Sequence, residues 1–423
     1  MKRILLIVAG IFSFLDGAQS LHADEPRKEL IPATDWPWWR GPNRDGIAYP
    51  KQQPPLKWSE TENVLWSTPI PGRGHGSPAL VGNRIFLVTA EQDKEIQSVL
   101  CFDRASGKQL WKTEIHQGKF DKKGNAKSSH ASCTPACDGE RVFVNFLNDG
   151  ALWTTALSVE GKQVWQTKIC DFINHQGFGS SPAIYDSFVI VSADNKGGGA
   201  IAALERTSGK VVWKHDRPKI PNYASPIILK VAGREQLLMT GCNLVSGFEP
   251  LSGKKLWEIK GSTEECVTST VTDGDVIITS GGYPKNHISA VKADGSGKIV
   301  WDIPIRVYVP SMLIHDGHLY AALDAGVAMC WKCDTGKELW KGRLGGTFSA
   351  SPVLVGNTIF ATNEAGKTFL FKADPKAFEL LGENQLGDEV FGTPTFCGDR
   401  IYMRVAKLTK GGRQEMLYCL GKK

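Results

Sequence analysis

SGKQLW at residues 106–111 returns as EGKQVW at 160–165, SGKVVW at 208–213, SGKKLW at 252–257, SGKIVW at 296–301 and TGKELW at 335–340. Each copy is a Gly-Lys turn, one variable residue, one aliphatic residue and Trp. An orphan copy, ENVLW, ends at Trp66. Trp66, Trp111, Trp165, Trp213, Trp257, Trp301 and Trp340 stand 45, 54, 48, 44, 44 and 39 residues apart. Four-stranded propeller blades repeat over that length.

Working outward from the first full copy, SPALVGNRIFLVTA (77–90) and IQSVLCFDRASG (96–107) precede the KQLWKTEI strand (108–115). These are short runs rich in β-branched and aromatic residues, separated by Gly, Asn and Asp clusters, as in strands and hairpins. No stretch carries a sustained helical period with caps, so the chain reads as all-β. First strands are expected near Ser77-Pro78, Thr134-Pro135, Ser181-Pro182, Ser225-Pro226, Ser269-Thr270, Ser311-Met312, Ser351-Pro352 and Thr393-Pro394. The seventh repeat carries AFELL (377–381) in place of the Trp phrase, and the eighth stops after MLYCL (416–420) without an outer strand. ENVLWSTPI (62–70) is an outer strand with no blade before it. The expectation is an eight-bladed β-propeller of four-stranded antiparallel blades over residues 61–423, its last blade closed by this N-terminal strand. Closure of this kind removes an exposed sheet edge. The seven Trp are expected to dock neighbouring blades.

Residues 24–60 hold DWPWWRGPNRDG (35–46) and then Pro50, Pro54 and Pro55. Pro and Gly at this density exclude a regular helix. Trp36, Trp38 and Trp39 call for burial, so the segment is expected to be an arm packed on the propeller. Before it, Met1-Lys2-Arg3 and the apolar ILLIVAGIFSFL (4–15) form a signal-peptide pattern over residues 1–23. Its apolar run is short for a membrane span. The expected location is periplasmic or secreted, soluble after cleavage, with no transmembrane segment.

Lys and Arg number 50 against 44 acidic residues, a net +6, too mild a balance to point to nucleic acid. The basic stretch KFDKKGNAK (119–127) reads as a solvated loop. Of ten Cys, Cys101, Cys330 and Cys419 fall at one third-strand position and Cys137 and Cys397 on first strands, which marks them as small buried hydrophobes. Cys330-Trp331-Lys332-Cys333 is a single CxxC with no second ligand pair nearby, so no zinc site is read.

The SP…GKxLW pattern resembles the pyrroloquinoline quinone (PQQ)-type propeller repeat. That repeat is found in quinoprotein alcohol dehydrogenases and in eight-bladed outer-membrane assembly lipoproteins. WPWWRGPNRDG is similar to the opening of exported PQQ-like proteins of planctomycete-type bacteria. The dehydrogenase resemblance implies PQQ on the ring axis, Ca²⁺ held by carboxylate and amide groups, an Asp base and an adjacent Cys-Cys pair. On that implication Arg73 or Arg306 would pair with cofactor carboxylates, and Glu264 or Glu265 would help hold Ca²⁺. This chain contains no Cys-Cys dipeptide and no CxxCH.

In a propeller the connections from each outer strand to the next first strand gather at one mouth of the channel. Here they bring Arg73, His75, His130, His175, Tyr223, Glu264, Glu265, Arg306 and Tyr308 to one rim, as ligand-funnel candidates. The three His stand at different offsets from their Ser-Pro or Thr-Pro positions, so no metal triad is read from them. No catalytic constellation with diagnostic spacing occurs. The expected role is a non-catalytic binding or assembly scaffold without cofactor, taking a protein partner or small ligand at the channel mouth. A PQQ- and Ca²⁺-dependent alcohol or sugar dehydrogenase is the alternative.

Overall fold

A computed structural model describes residue 32 and residues 34–121 and 124–423. The signal-peptide reading of residues 1–23 therefore lies outside the described residues. Eight four-stranded antiparallel sheets make up the described chain. The first is Ala79–Val81, Arg84–Glu91, Ile96–Asp103 and Gln109–Gln117, and the next six follow in the same consecutive order. The eighth pairs Thr395–Cys397, Arg400–Thr409 and Gly412–Leu420 with Val64–Ile70, so the chain's early strand closes the ring. One 3-10 turn, Gln92–Lys94, is the only helical element among the described residues.

Strand burial follows position in the blade. The second strand of blade one, Arg84–Glu91, is buried on both faces except at its two ends, because blades stack against it from either side. Such strands read as continuous apolar runs, RIFLVTA here. Outer strands alternate instead: in Val211–Asp216 only Trp213 and His215 are partly covered. First strands of adjacent blades touch one another, which puts them around the axis.

The repeated phrase has two geometric consequences. A ladder irregularity falls at the residue before each Trp: Cys101 pairs with Trp111 and Phe102 with Gln109, skipping Leu110. The same skip occurs at Val164, Val212, Leu256, Val300, Leu339 and, in blade seven, Leu381. A bulge turns the local strand and re-aims the next side chain, so the indole swings towards the neighbouring blade. The aliphatic residue is left outside in several blades, Leu110 and Val212 each being 48% exposed, whereas Leu256 and Leu339 are half-buried against the core. Second, the indole N–H donates to a turn carbonyl of the next blade: Trp66 to Arg104 (3.3 Å), Trp111 to Val159 (3.0 Å), Trp165 to Arg206 (2.9 Å) and Trp301 to Cys333 (2.8 Å). The turn glycine of the next phrase lies flat against the ring; a Cβ at Gly161, which holds φ +90°, would sit 2.6 Å from Trp111. Trp257 departs from this pattern, donating to Gln236 Oε1 of its own blade at 2.8 Å, and Ile259 covers the next turn glycine, Gly297.

Residues 34–60 cross the axial face on the side away from the open mouth. Trp36 pairs with Leu80 of blade one, and Ala48 and Gly46 exchange backbone bonds with Leu354 of blade seven. Between these points Arg44 donates to Ile184 O in blade three and Arg40 to Met312 O at the start of blade six. Trp36 and Trp58 are 2% and 3% exposed, in one apolar cluster with side chains of blades one, seven and eight. Cys101, Cys137, Cys330, Cys397 and Cys419 are buried free thiols.

Candidate functional site

The mouth opposite the arm opens into a funnel of about 950 Å³. Its floor is an arc of Ser and Thr residues that precede six of the first strands, with Trp39 of the arm entering from below. The Trp39 indole N–H donates to Ser269 Oγ at 2.8 Å, which fixes the ring in the channel.

Six of the expected rim residues, His75, His175, Tyr223, Glu265, Arg306 and Tyr308, line this funnel. Arg73 and His130 line a neighbouring cavity of about 420 Å³. Glu264 lines neither; the connection turns its backbone carbonyl onto Cys242 N at 2.7 Å. Sequence reasoning considered one set of loops and missed a second. The hairpins between second and third strands open on the same mouth and add Asp324, Glu364 and Tyr283. The parallel phrases LDAG (323–326) and TNEAG (362–366) in blades six and seven carried that signal.

Glu265 organises one wall. It is 4% exposed; Oε2 accepts from Tyr308 OH at 2.8 Å, and Oε1 lies 3.1 Å from His175 Nδ1. Tyr223 OH approaches the same His175 Nδ1 at 3.3 Å. Burial, with the Glu265 charge beside it, pushes both phenols above the ordinary tyrosine range. The Arg306 guanidinium lies over the Tyr308 ring, 4.7 Å from its centre, and donates to Gly282 O at 2.7 Å. A carboxylate on one imidazole nitrogen fixes the orientation of the ring.

The other carboxylates are also engaged. Asp324 accepts the backbone N–H of Tyr308 and Val309 at 2.8 and 3.1 Å, while burial raises its pKa above the usual carboxylate value. Glu364 accepts from Lys127 Nζ and Ser349 Oγ, both at 2.7 Å. His75 stacks on Phe391 with ring centres 4.4 Å apart; burial, then Arg73 and the blade-eight arginines, hold it well below the usual histidine range. His75, His130 and His175 do not converge, and no group of three His, Cys, Asp or Glu side chains suited to a metal occurs among the described residues.

The profile of the family described as outer membrane protein assembly factor BamB, a PQQ-repeat family, matches residues 95–284 and 284–376, two thirds of the chain. The chain belongs to this family. Among proteins similar to this family member, BamB of Burkholderia pseudomallei (strain K96243) is 23% identical over 342 residues, spanning 78% of this chain and 81% of that protein. Tetrathionate hydrolase of Acidithiobacillus ferrooxidans is 22% identical over 375 residues, spanning 75% and 69%. Of solved structures, a europium-containing methanol dehydrogenase superposes with a TM-score of 0.67 at 12% identity over 93% of this chain and 99% of that one, a likeness of fold. Proteins named as an assembly factor, a hydrolase and a dehydrogenase are thus similar to this chain in sequence or in fold, and the fold alone does not decide between those roles.

Proposed function

We propose that this propeller is an exported, non-catalytic scaffold that binds a partner at the funnel mouth. The observation that carries the reading is the state of the funnel carboxylates. Glu265, Asp324 and Glu364 have their oxygens committed to protein donors, so the wall is a hydrogen-bonded surface with no spare carboxylate base. The match to a family described as an assembly factor agrees with it. Among the described residues no helix is long and apolar enough to cross a membrane. Export itself rests on the N-terminal sequence pattern.

The dehydrogenase alternative needs PQQ and Ca²⁺. Ca²⁺ takes six to eight oxygen ligands, with carboxylates prominent. The three funnel carboxylates are spread over blades and each is already paired, so the residues present do not fit that donor set. Of the two exposed cations that line the funnel, Lys127 is paired with Glu364, and Arg306, laid on Tyr308, is the one such a reading would use for a quinone carboxylate.

A photo-crosslinking residue placed at Tyr283, which is 52% exposed at the mouth, should give one discrete adduct in cells. The same residue at Val212 on an outer edge should not. Calorimetry with PQQ and Ca²⁺ should show no saturable heat. Saturable binding together with dye reduction over alcohols or sugars would replace the scaffold by an enzyme.

A further inference from the structure

Around the axis, one hydroxyl per blade joins neighbouring first strands. Ser77 N donates to Thr134 Oγ1 (3.1 Å), Thr134 N to Ser181 Oγ (2.9 Å) and Ser181 N to Ser225 Oγ (2.9 Å). On the other side Ser269 N donates to Ser311 Oγ (3.0 Å), Ser311 N to Ser351 Oγ (2.9 Å) and Ser351 N to Thr393 Oγ1 (2.9 Å). These hydroxyls act as acceptors in the links. A hydroxyl also carries one proton to donate, and none of the six donates it to a protein acceptor among the described residues.

The ring is open at two junctions, for different reasons. Ser269 Oγ is taken by the Trp39 indole. Ser77 Oγ, on a residue 2% exposed, has no hydrogen-bond partner at all. Ser351, Thr393, Ser77, Thr134, Ser181 and Ser225 all line the funnel, as a continuous arc from blade seven round to blade four. Trp39 occupies the side left over. The floor is therefore an arc of six hydroxyls facing an aromatic ring. Five of the oxygens already accept an N–H, which leaves each with its proton and one lone pair for the funnel. A buried donor left without an acceptor costs about 1–3 kcal/mol, and one ligand rich in acceptors would satisfy several together.

We propose that this hydroxyl arc is a binding site for an oxyanion, seated on the axis with its oxygens on the Ser and Thr protons and Trp39 against its open side. The charges higher in the funnel permit it. Each carboxylate there already accepts protein donors, Lys127 offsets Glu364, and Arg306 adds positive charge near the entrance. The proposal concerns the floor and does not depend on what docks at the rim.

Ser77 offers a clean test, because its hydroxyl makes no bond that the fold uses. Titration calorimetry of the full protein, at low ionic strength, uses sodium sulfate in one arm and sodium acetate in another. Saturable one-to-one binding is expected in wild type, weakened about tenfold in Ser77→Ala, the size of one hydrogen bond to a charged group. Ser77→Thr should retain affinity, and the anion-free melting temperature of Ser77→Ala should not fall, since the hydroxyl it removes has no partner. Binding of sulfate alone supports a free tetrahedral anion; binding of acetate as well supports a carboxylate-bearing ligand. No saturation in either arm, or equal affinity in wild type and Ser77→Ala, overturns the site. The crosslinking at Tyr283 reports on the scaffold reading separately.

Discussion

Trp66 faces Cys419 across the ladder that joins Val64–Ile70 to Gly412–Leu420, so the beginning and the end of the propeller share one sheet. The same Trp66 reaches forward to blade one, through Arg104 O and the turn glycine Gly107. One short strand therefore completes blade eight and docks it on blade one. Deleting residues 62–70 should leave the Gly412–Leu420 edge unpaired. Loss of the Trp66 packing alone removes about 4 kcal/mol gross. The expected product aggregates or melts far below wild type by scanning calorimetry and gel filtration. A monomer of unchanged stability would contradict the closure.

Gly161 and Gly233 separate backbone strain from inter-blade contact. Both sit at positive φ, +90° and +77°, but only at Gly161 would a Cβ meet an indole; around Gly233 there is open space. Gly233→Ala should cost about 1 kcal/mol, the price of the left-handed backbone alone. Gly161→Ala should cost about 3 kcal/mol, because Trp111 must also move. Urea denaturation of the two variants reads the difference directly, and equal midpoints would remove the packing role of the phrase's glycine.

His116 gives the protein a defined acid sensitivity. It lies against Phe146 and Trp153, its Nε2 is buried without a partner, and burial lowers it to about 4. The folded state holds this imidazole neutral, whereas the unfolded chain takes up its proton near pH 6.5. The unfolded state binds more protons between those values, so stability is full above about pH 6.5 and falls as pH drops towards 4. His130 and His287, also lowered by burial, act in the same direction. His116→Phe should flatten the dependence of melting temperature on pH in that window; an unchanged slope would show that the imidazole is already protonated when folded.

Arg40 anchors the arm. It is 3% exposed and donates to Asp45 O at 2.6 Å and to Met312 O of the propeller. Arg40→Ala leaves the Met312 carbonyl buried without a donor, a cost of about 1–3 kcal/mol. The arm should then become a chymotrypsin target at Trp38 and Trp39, while the propeller core resists. Equal protection in variant and wild type would mean that Trp36 and Trp58 hold the arm without it.

Much of the fold was legible because the repeat is a local pattern. GK-x-aliphatic-Trp exposes its own logic: a left-handed turn needs Gly, and an indole every blade needs a partner surface. The skipped aliphatic residue was not legible, since Leu110 and Val212 look like core positions and are exposed only because the ladder bulges there. The funnel was legible in half. The inter-blade connections brought six of nine candidates to the cavity, yet Asp324 and Glu364 came from hairpins whose orientation depends on the strand order of each blade. Glu264 and Glu265 show the limit of spacing arguments: adjacent in sequence, they part company because successive residues in extended chain point to opposite sides.

The amino-acid order by itself determined the number of blades, the β character of each segment and the need for an early strand to finish the last sheet, because these depend on periodicity and on residues within one blade. Tertiary structure alone decided that Trp39 fills the floor of the channel, that Glu265 is shared by His175 and Tyr308, and that six hydroxyls from six blades face one axis. Those relationships join residues up to hundreds of positions apart, and only closure of the ring sets the distances between them.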